Sequence, residues 1–373
     1  MKVLLLADSS SPHTIKWANA LSESGCEIFV FSLHENTFHK IIYHKNIRLE
    51  SACFSNTYRF SHSSIISKGK YLKIIFRIKK IISEFRPDII HAHYATSYGL
   101  LGALLFFKPY IISVWGTDVL SFPQSTLLSR ILFKFILSRA TQISATTKYL
   151  ADESTKYTSR NINVIPFGID TNQFKFTKST LFDEGKFMII GAVKSFEEPY
   201  GIEYLIKAFA QVSSKFSKLN LRLLLVGQGS LEKKLKQLTQ ELNIEEEVIF
   251  TGFIPPQEVS RYHNSLDIAV YPSIYEGFGV AIAESMSCSK PVIASNVGGI
   301  PELIESGKNG LLVESKNVKY LSEAIEKLIL NKELRIKLGE MAREKILNEY
   351  SWEKSLNLML DLYSHAITTS NKN

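Results

Sequence analysis

The chain is predicted to be an α/β protein built as two successive doubly wound parallel-sheet domains. Three observations carry that expectation. Apolar strand-length runs alternate with helix-length stretches throughout, the βαβα order of a parallel sheet with helices on both faces. The alternation breaks over 166–186, where Pro166, Gly168 and Gly185 interrupt it, and then restarts. The 373 residues, 45% hydrophobic and 21% charged, suffice for two globular cores.

The opening MKVLLLADSSS has too short an apolar run for a signal peptide and reads as a first strand, 3–7. Further apolar runs place strands at 28–32, 89–92, 110–114, 142–145 and 163–165, with helices between them at 14–24, 70–85, 98–107, 125–139 and 147–156. After the connector, strands are expected at 187–192, 221–226, 248–250, 268–271, 292–295 and 311–313. The helices of this half are expected at 202–215, 231–242, 256–265, 280–287, 318–330 and 332–350. The tail SWEKSLNLMLDLYSHAI, 351–367, is amphipathic. Ligands of such sheets bind outside the carboxyl ends of the strands.

Composition narrows the function. Cys26, Cys53 and Cys288 have neither metal nor disulfide spacing and suit a reducing compartment. No apolar run approaches the ~20 residues of a membrane span. Cytoplasmic localisation is expected, peripheral on a membrane face. The net charge of +8 is uneven: residues 1–180 hold 22 Lys and Arg against 11 Asp and Glu, and residues 181–373 hold 22 against 25. That asymmetry points to an anionic partner for the first half. Two helical stretches carry basic charge with an apolar complement. In 67–87, Lys70, Lys73, Arg77, Lys79 and Lys80 are interleaved with isoleucines; in 125–140, Arg130, Lys134 and Arg139 are set among Leu, Ile and Phe. Basic amphipathic helices suit an anionic membrane surface, whereas a core-packing helix with a solvated basic face is the plainer alternative. Nucleic acid is disfavoured, with no binding motif and no aromatic stacking platform.

The most informative segment is YPSIYEGFGVAIAE, 271–284. It leaves a strand, crosses a glycine loop and opens a helix, bracketed by Glu276 and Glu284. Gly277 and Gly279 let backbone approach a ligand closely, and a helix N-terminus favours anions. A diphosphate at the helix start would leave Glu284 about 6 Å along the axis, suited to a ribose diol. Glu276 would meet the other end of the same ligand. A hydrolase acid/base pair is a poor alternative, because such pairs converge from different elements; a surface loop with two solvated glutamates is the plain one.

This segment resembles the E-x7-E signature of the family 4 retaining glycosyltransferases, the glycosyl transferases group 1. VIPFGID (164–170), LLLVGQGS (223–230), FTGFIPPQEV (250–259), ASNVGGIPELI (294–304) and NGLLVE (309–314) follow in that family's order, and HAHYATSYGLLGA (91–103) and SVWGTDVL (113–120) are similar in the first half. The resemblance implies the GT-B architecture: two Rossmann-like domains facing a central cleft, an acceptor domain 1–168 and a donor domain 169–351, with the last helix, 352–368, packing back on the first domain. It implies a nucleotide-sugar donor, with Glu284 on the ribose, Glu276 on the sugar, and Phe278, Gly279 and Val280 presenting backbone. Gly227 and Gly229 would border the nucleotide, and Phe253 and Ile254 would frame the base.

No Asp-x-Asp pair is present, so no metal and no cofactor are expected, and cationic side chains with backbone dipoles should neutralise the leaving diphosphate. The family usually supplies Arg and Lys after the second domain's first strand. Here Lys194 takes the first position, and Tyr200 stands where Lys is usual. Lys290 or Arg261 is a candidate for the missing charge. A second departure is Trp115 before Gly116-Thr117-Asp118, where relatives have His. Asp118 is expected to orient sugar or acceptor. Of His91 and His93, one is expected to face the ligand and the other to pack, on the ground that strand side chains alternate; His93 is the candidate. Ser11 and His13 are candidates on the acceptor side. The expected activity is retaining transfer from a nucleotide-diphosphate sugar, a UDP-sugar, to a lipid-linked saccharide at the inner face of a bacterial membrane, in surface-polysaccharide assembly. A soluble acceptor, a UDP-sugar epimerase of the same fold and a non-catalytic sugar-nucleotide-binding protein are the alternatives.

Overall fold

The computed structural model describes residues 1–34, 43–54, 68–178, 181–182 and 186–370; the side chains at 53–54 and 68–72 lie outside that description. Gly185 and the side chains of Cys53 and Lys70, all named above, therefore lie outside the described residues.

The chain divides into two compact units, Met1–Pro166 with Leu356–Asn373, and Phe167–Ser355. The first holds a parallel sheet of β1 (Lys2–Leu6), β2 (Glu27–His34), β3 (Arg48–Phe54), β4 (Ile89–His93), β5 (Tyr110–Val114), β6 (Gln142–Ala145) and β7 (Ile162–Val164). Their order is β3-β2-β1-β4-β5-β6-β7. The second holds β8 (Met188–Val193), β9 (Leu221–Val226), β10 (Val248–Phe250), β11 (Ile268–Tyr271), β12 (Val292–Ser295) and β13 (Leu311–Val313), in the order β10-β9-β8-β11-β12-β13. Two doubly wound α/β sheets are thus as the sequence predicts.

The inner strands form from predominantly apolar runs, as burial on both faces requires. Every residue of β4 and β5 is buried. Side chains cap several of the helices: Thr126 and Thr147 accept from Ser129 and Leu150, and Asn317 and Asn331 from Tyr320 and Leu334. The first core gathers Leu4, Leu6, Phe31, Ile78, Ile90, Ile112, Phe133 and Ile143. In each sheet the winding reverses at one place, between β1 and β4 and between β8 and β11. The carboxyl ends of the strands at such a reversal are where doubly wound sheets take ligands.

One strand was not foreseen. β3, RLESACF, lies at a sheet edge with β2 as its only partner among the described residues, so its sequence carries no buried apolar run. The helices Thr117–Leu120, Phe122–Ser125 and Ile300–Leu303 were also missed; each has only four residues, too few to show a helical period.

Candidate active site

In the second unit, the residues leaving β8 and β11 converge. Lys194 follows β8 directly, and its backbone N–H donates to Val226. Its ammonium donates to Glu276 Oε2 at 2.7 Å, with both side chains largely buried. Burial opposes the charge on Lys194, but Glu276, with Tyr200 and Glu284 adding, outweighs it and holds the pKa above the ordinary lysine value. Tyr200 closes the short 3₁₀ turn Glu198–Tyr200 and lays its ring 4.0 Å from the Lys194 ammonium. The Tyr that replaces a customary Lys is therefore a cation–π partner of the remaining cation. The turn docks on the loop after β11, because Ile274 and Tyr275 both donate to the Pro199 carbonyl.

The glycines around this pair are fixed by close approach. Gly227 and Gly229 leave β9 against the backbone of 194–196; a Cβ at either would collide with the carbonyl of Lys194 or Phe196. Their visible task is to let the two loops pack. A Cβ on Gly298 would strike the Glu276 carbonyl, which also accepts from Gly299. The glutamate is thus held from behind by the turn after β12.

The eight-residue helix Val280–Ser287 begins at Gly279, which adopts φ +93°, and no side chain caps its first turn. Val280 is its first residue. Phe278 turns its ring into the unit's interior, 5.9 Å from Phe167 and 5.8 Å from Tyr350, leaving only its backbone for a ligand. Glu284 lies one turn into the helix, partly exposed, with Oε2 3.2 Å from His263 Nε2. The other nitrogen, Nδ1, lies 2.8 Å from Ser285 Oγ, which is 2.7 Å from the Tyr271 hydroxyl. Sequence reading missed His263, Ser285 and Tyr271; a lone His inside YHNSLD carries no pattern. Phe253 is 54% exposed and Ile254 half-buried, following Gly252.

Neither reserve cation joins the site. Lys290 is buried and donates to the Asn264 carbonyl at 2.7 Å, its pKa lowered by burial. Arg261 is exposed and pairs with Glu258 at 3.6 Å.

In the first unit, a ring cluster sits at the carboxyl ends of β1, β4 and β5. Trp115 stands between two imidazoles, 4.7 Å from His93 and 5.9 Å from His13, with Tyr94 6.0 Å away. Ser11 precedes the helix Pro12–Glu23 and, like His13, is partly exposed. His93 is buried, with Nδ1 3.4 Å from Thr14 Oγ1. Burial, then His91 and His13, depress its pKa well below the ordinary value, so it is neutral.

Two expectations need correction here. His91 and His93 do not face opposite ways: two apart in a strand, they share one face, with rings 4.7 Å apart. His91 is wholly buried, between the Tyr363 hydroxyl at 2.6 Å and Ser113 Oγ at 2.7 Å. Asp118 is not presented to a ligand. Its buried carboxylate accepts from the backbone of Ala95 (2.9 Å), Gly116 (2.8 Å) and Trp115 (3.1 Å), tying the loop after β5 to the loop after β4. Burial raises its pKa despite those bonds. It shapes the loop that carries Trp115.

Similarity searches agree with this arrangement. The family model for glycosyl transferases group 1 matches residues 172–345, and that for glycosyl transferase 4-like proteins matches residues 2–147. An uncharacterized glycosyltransferase of Methanocaldococcus jannaschii is 34% identical over 288 residues, 76% of this chain and 77% of that protein. N-acetyl-alpha-D-glucosaminyl L-malate synthase of Bacillus anthracis is 25% identical over 307 residues, 78% of each. The fold matches that of Anabaena HepE in complex with UDP and glucose, with a TM-score of 0.80, 21% identity and coverage of 98% of this chain and 100% of that one. Similarity of this extent, running through both sheets, shows that the chain belongs to the glycosyl transferases group 1 family and is a glycosyltransferase of the GT-B fold.

Proposed function

We propose that the chain transfers a sugar, with retention of anomeric configuration, from a UDP-sugar to a lipid-linked saccharide in bacterial surface-polysaccharide assembly. The observation that carries the donor half is the Lys194–Glu276 pair at the carboxyl ends of β8 and β11, beside the uncapped helix at Gly279. In this reading the diphosphate lies at the helix start and takes the Lys194 ammonium as its counter-charge, with no metal. Glu276, relieved of part of that contact, accepts from a sugar hydroxyl, and Glu284 accepts from the ribose. A cation held in place before the leaving group forms stabilises the developing charge without reorganisation. UDP as the nucleotide is supported by the complex named for Anabaena HepE. A thermal-shift panel of UDP, GDP, ADP, CMP and their common sugar conjugates tests the donor site, since a ligand of the folded state raises Tm. The expected result is a shift with the uridine series, lost in Glu284→Ala; no shift with any of them would end the reading. Product configuration by NMR decides retention.

The membrane half rests on one helix rather than two. In Lys68–Phe85, Ile74, Ile78 and Ile81 pack into the core, Arg77 pairs with Glu50, and Lys80 lies near Glu84. That helix is an ordinary core element with a solvated basic face. In Leu127–Arg139, Leu127 and Leu128 are 74% exposed and Ile131 57%, on one side of the first turns, with Arg130 and Lys134 exposed beside them. Exposed apolar groups ringed by cations suit an anionic bilayer. No helix among the described residues is long and apolar enough to cross one. Flotation with anionic liposomes should be lost on Leu127→Ser/Leu128→Ser/Ile131→Ser and kept on Lys73→Glu/Lys80→Glu. A soluble small-molecule acceptor is the second reading, favoured by the relative named as an L-malate synthase; transfer to water-soluble acceptors by a variant that no longer floats would support it.

A further inference from the structure

We propose that His263, through Ser285 and Tyr271, is a positioning residue for Glu284. The inference rests on the reading above, in which Glu284 binds the ribose diol. The Tyr271 and Ser285 hydroxyls each have one proton to give. An ionised carboxylate only accepts, so the hydrogen facing Glu284 is on His263 Nε2. In that tautomer Nδ1 accepts, and the Ser285 hydroxyl supplies the proton across 2.8 Å. Ser285 Oγ in turn accepts from the Tyr271 hydroxyl across 2.7 Å. The protons run one way, from Tyr271 to Ser285 to His263 to Glu284 Oε2.

Burial makes that direction rigid. His263 and Ser285 have no exposed surface, and Tyr271 is 2% exposed. Phe174 covers the imidazole edge-on at 5.7 Å. His263 comes from the helix Val259–Ser265, while Glu284 and Ser285 are neighbours on the helix Val280–Ser287. One ring therefore grips two consecutive residues of the ligand-facing helix. Among the described residues, Glu284 Oε1 has no hydrogen bond, so the relay fixes one oxygen and leaves the other for a ligand. A buried His that merely filled space would need no donor aimed at the one partly exposed carboxylate on that helix.

The test reads ribose discrimination, which a general loss of packing would not move selectively. UDP, GDP and ADP are titrated calorimetrically beside their 2′,3′-dideoxy forms, on wild type, Glu284→Ala, His263→Phe, His263→Gln and Ser285→Ala. Wild type should prefer the ribose form of one of them, and Glu284→Ala should abolish that preference. His263→Phe should cut the preference about tenfold, the scale of one hydrogen bond to a charged group, with the dideoxy affinity unchanged. His263→Gln, which keeps a donor toward Glu284, should restore most of it. Were His263→Phe to misfold, Ser285→Ala should still shrink the preference by roughly twofold to threefold, as one neutral hydrogen bond would. Equal weakening of ribose and dideoxy forms, or an intact preference in the His263 and Ser285 variants while Glu284→Ala loses it, overturns the relay alone. No preference in wild type, or no effect of Glu284→Ala, overturns the ribose reading and the relay with it.

Discussion

At the scale of single residues, the proposed donor site rests on a buried ion pair with an aromatic ring over its cation. Lys194→Met leaves the Glu276 carboxylate without its partner, and breaking such a pair costs about 3–5 kcal/mol. It should lower both Tm and transfer. Tyr200 separates two roles for its position. Tyr200→Phe keeps the ring over the ammonium and should stay within about threefold of wild-type kcat/KM, whereas Tyr200→Ala removes a cation–π contact of roughly 1–2 kcal/mol and should cost about tenfold. Steady-state kinetics check both, and equal losses would show that the hydroxyl matters rather than the ring. The strand-end placement of Glu276 and Glu284 was legible in the sequence because both sit in one motif of fixed spacing, and that of Lys194 because it follows an apolar run directly. The Tyr200 contact was not, since sequence reports the missing charge and not where a ring comes to lie. His263 was equally invisible, because its partners come from another helix and a strand.

At the scale of elements, loops after neighbouring strands touch backbone to backbone, and glycine marks the contacts. Gly298 adopts φ +56° and lies against the Glu276 carbonyl, while Gly307 adopts φ +85° with open space around it. Gly307→Ala should therefore meet only the left-handed penalty of about 1–2 kcal/mol, with transfer unchanged. Gly298→Ala meets that penalty and must also push Glu276 aside, so kcat/KM should fall at least tenfold, as displacement of a positioning group by an ångström does. Thermal melts and kinetics on the two variants separate the effects; equal kinetics would remove Gly298 from the site. The regular elements were readable because apolar runs and helical periods are local signals. β3 escaped because an edge strand buries too little to need an apolar run, and the Asp118 contacts escaped because Ala95 lies in a different loop from Trp115 and Gly116.

At the scale of the whole molecule, stability should depend on pH through the first unit's buried imidazoles. Burial pushes the His91 pKa down from 6.5 to about 3, and burial with His91 and His13 depresses that of His93. Both are neutral when folded. Below pH 6.5 the unfolded chain takes up a proton at each imidazole that the folded chain does not. The unfolded state therefore binds more protons, and stability falls as pH falls. The contribution is complete above 6.5 and diminishes toward 3. The carboxylates whose pKa burial raises, Asp118 and Asp267, act in the opposite sense, because the folded state takes up their protons first as pH falls toward 3.8. Substitution separates the imidazole contribution from theirs across the window from pH 6.5 to about 5. His91→Asn should lower Tm at pH 7, because Tyr363 and Ser113 lose their partner, and should also flatten the decline of Tm across that window. A variant that loses Tm equally at every pH would show that His91 serves the fold through packing alone. Since Tyr363 belongs to the helix Trp352–Ser370, Tyr363→Phe should also lower Tm while leaving the pH slope nearly intact, because the imidazole stays buried when its hydroxyl partner is gone.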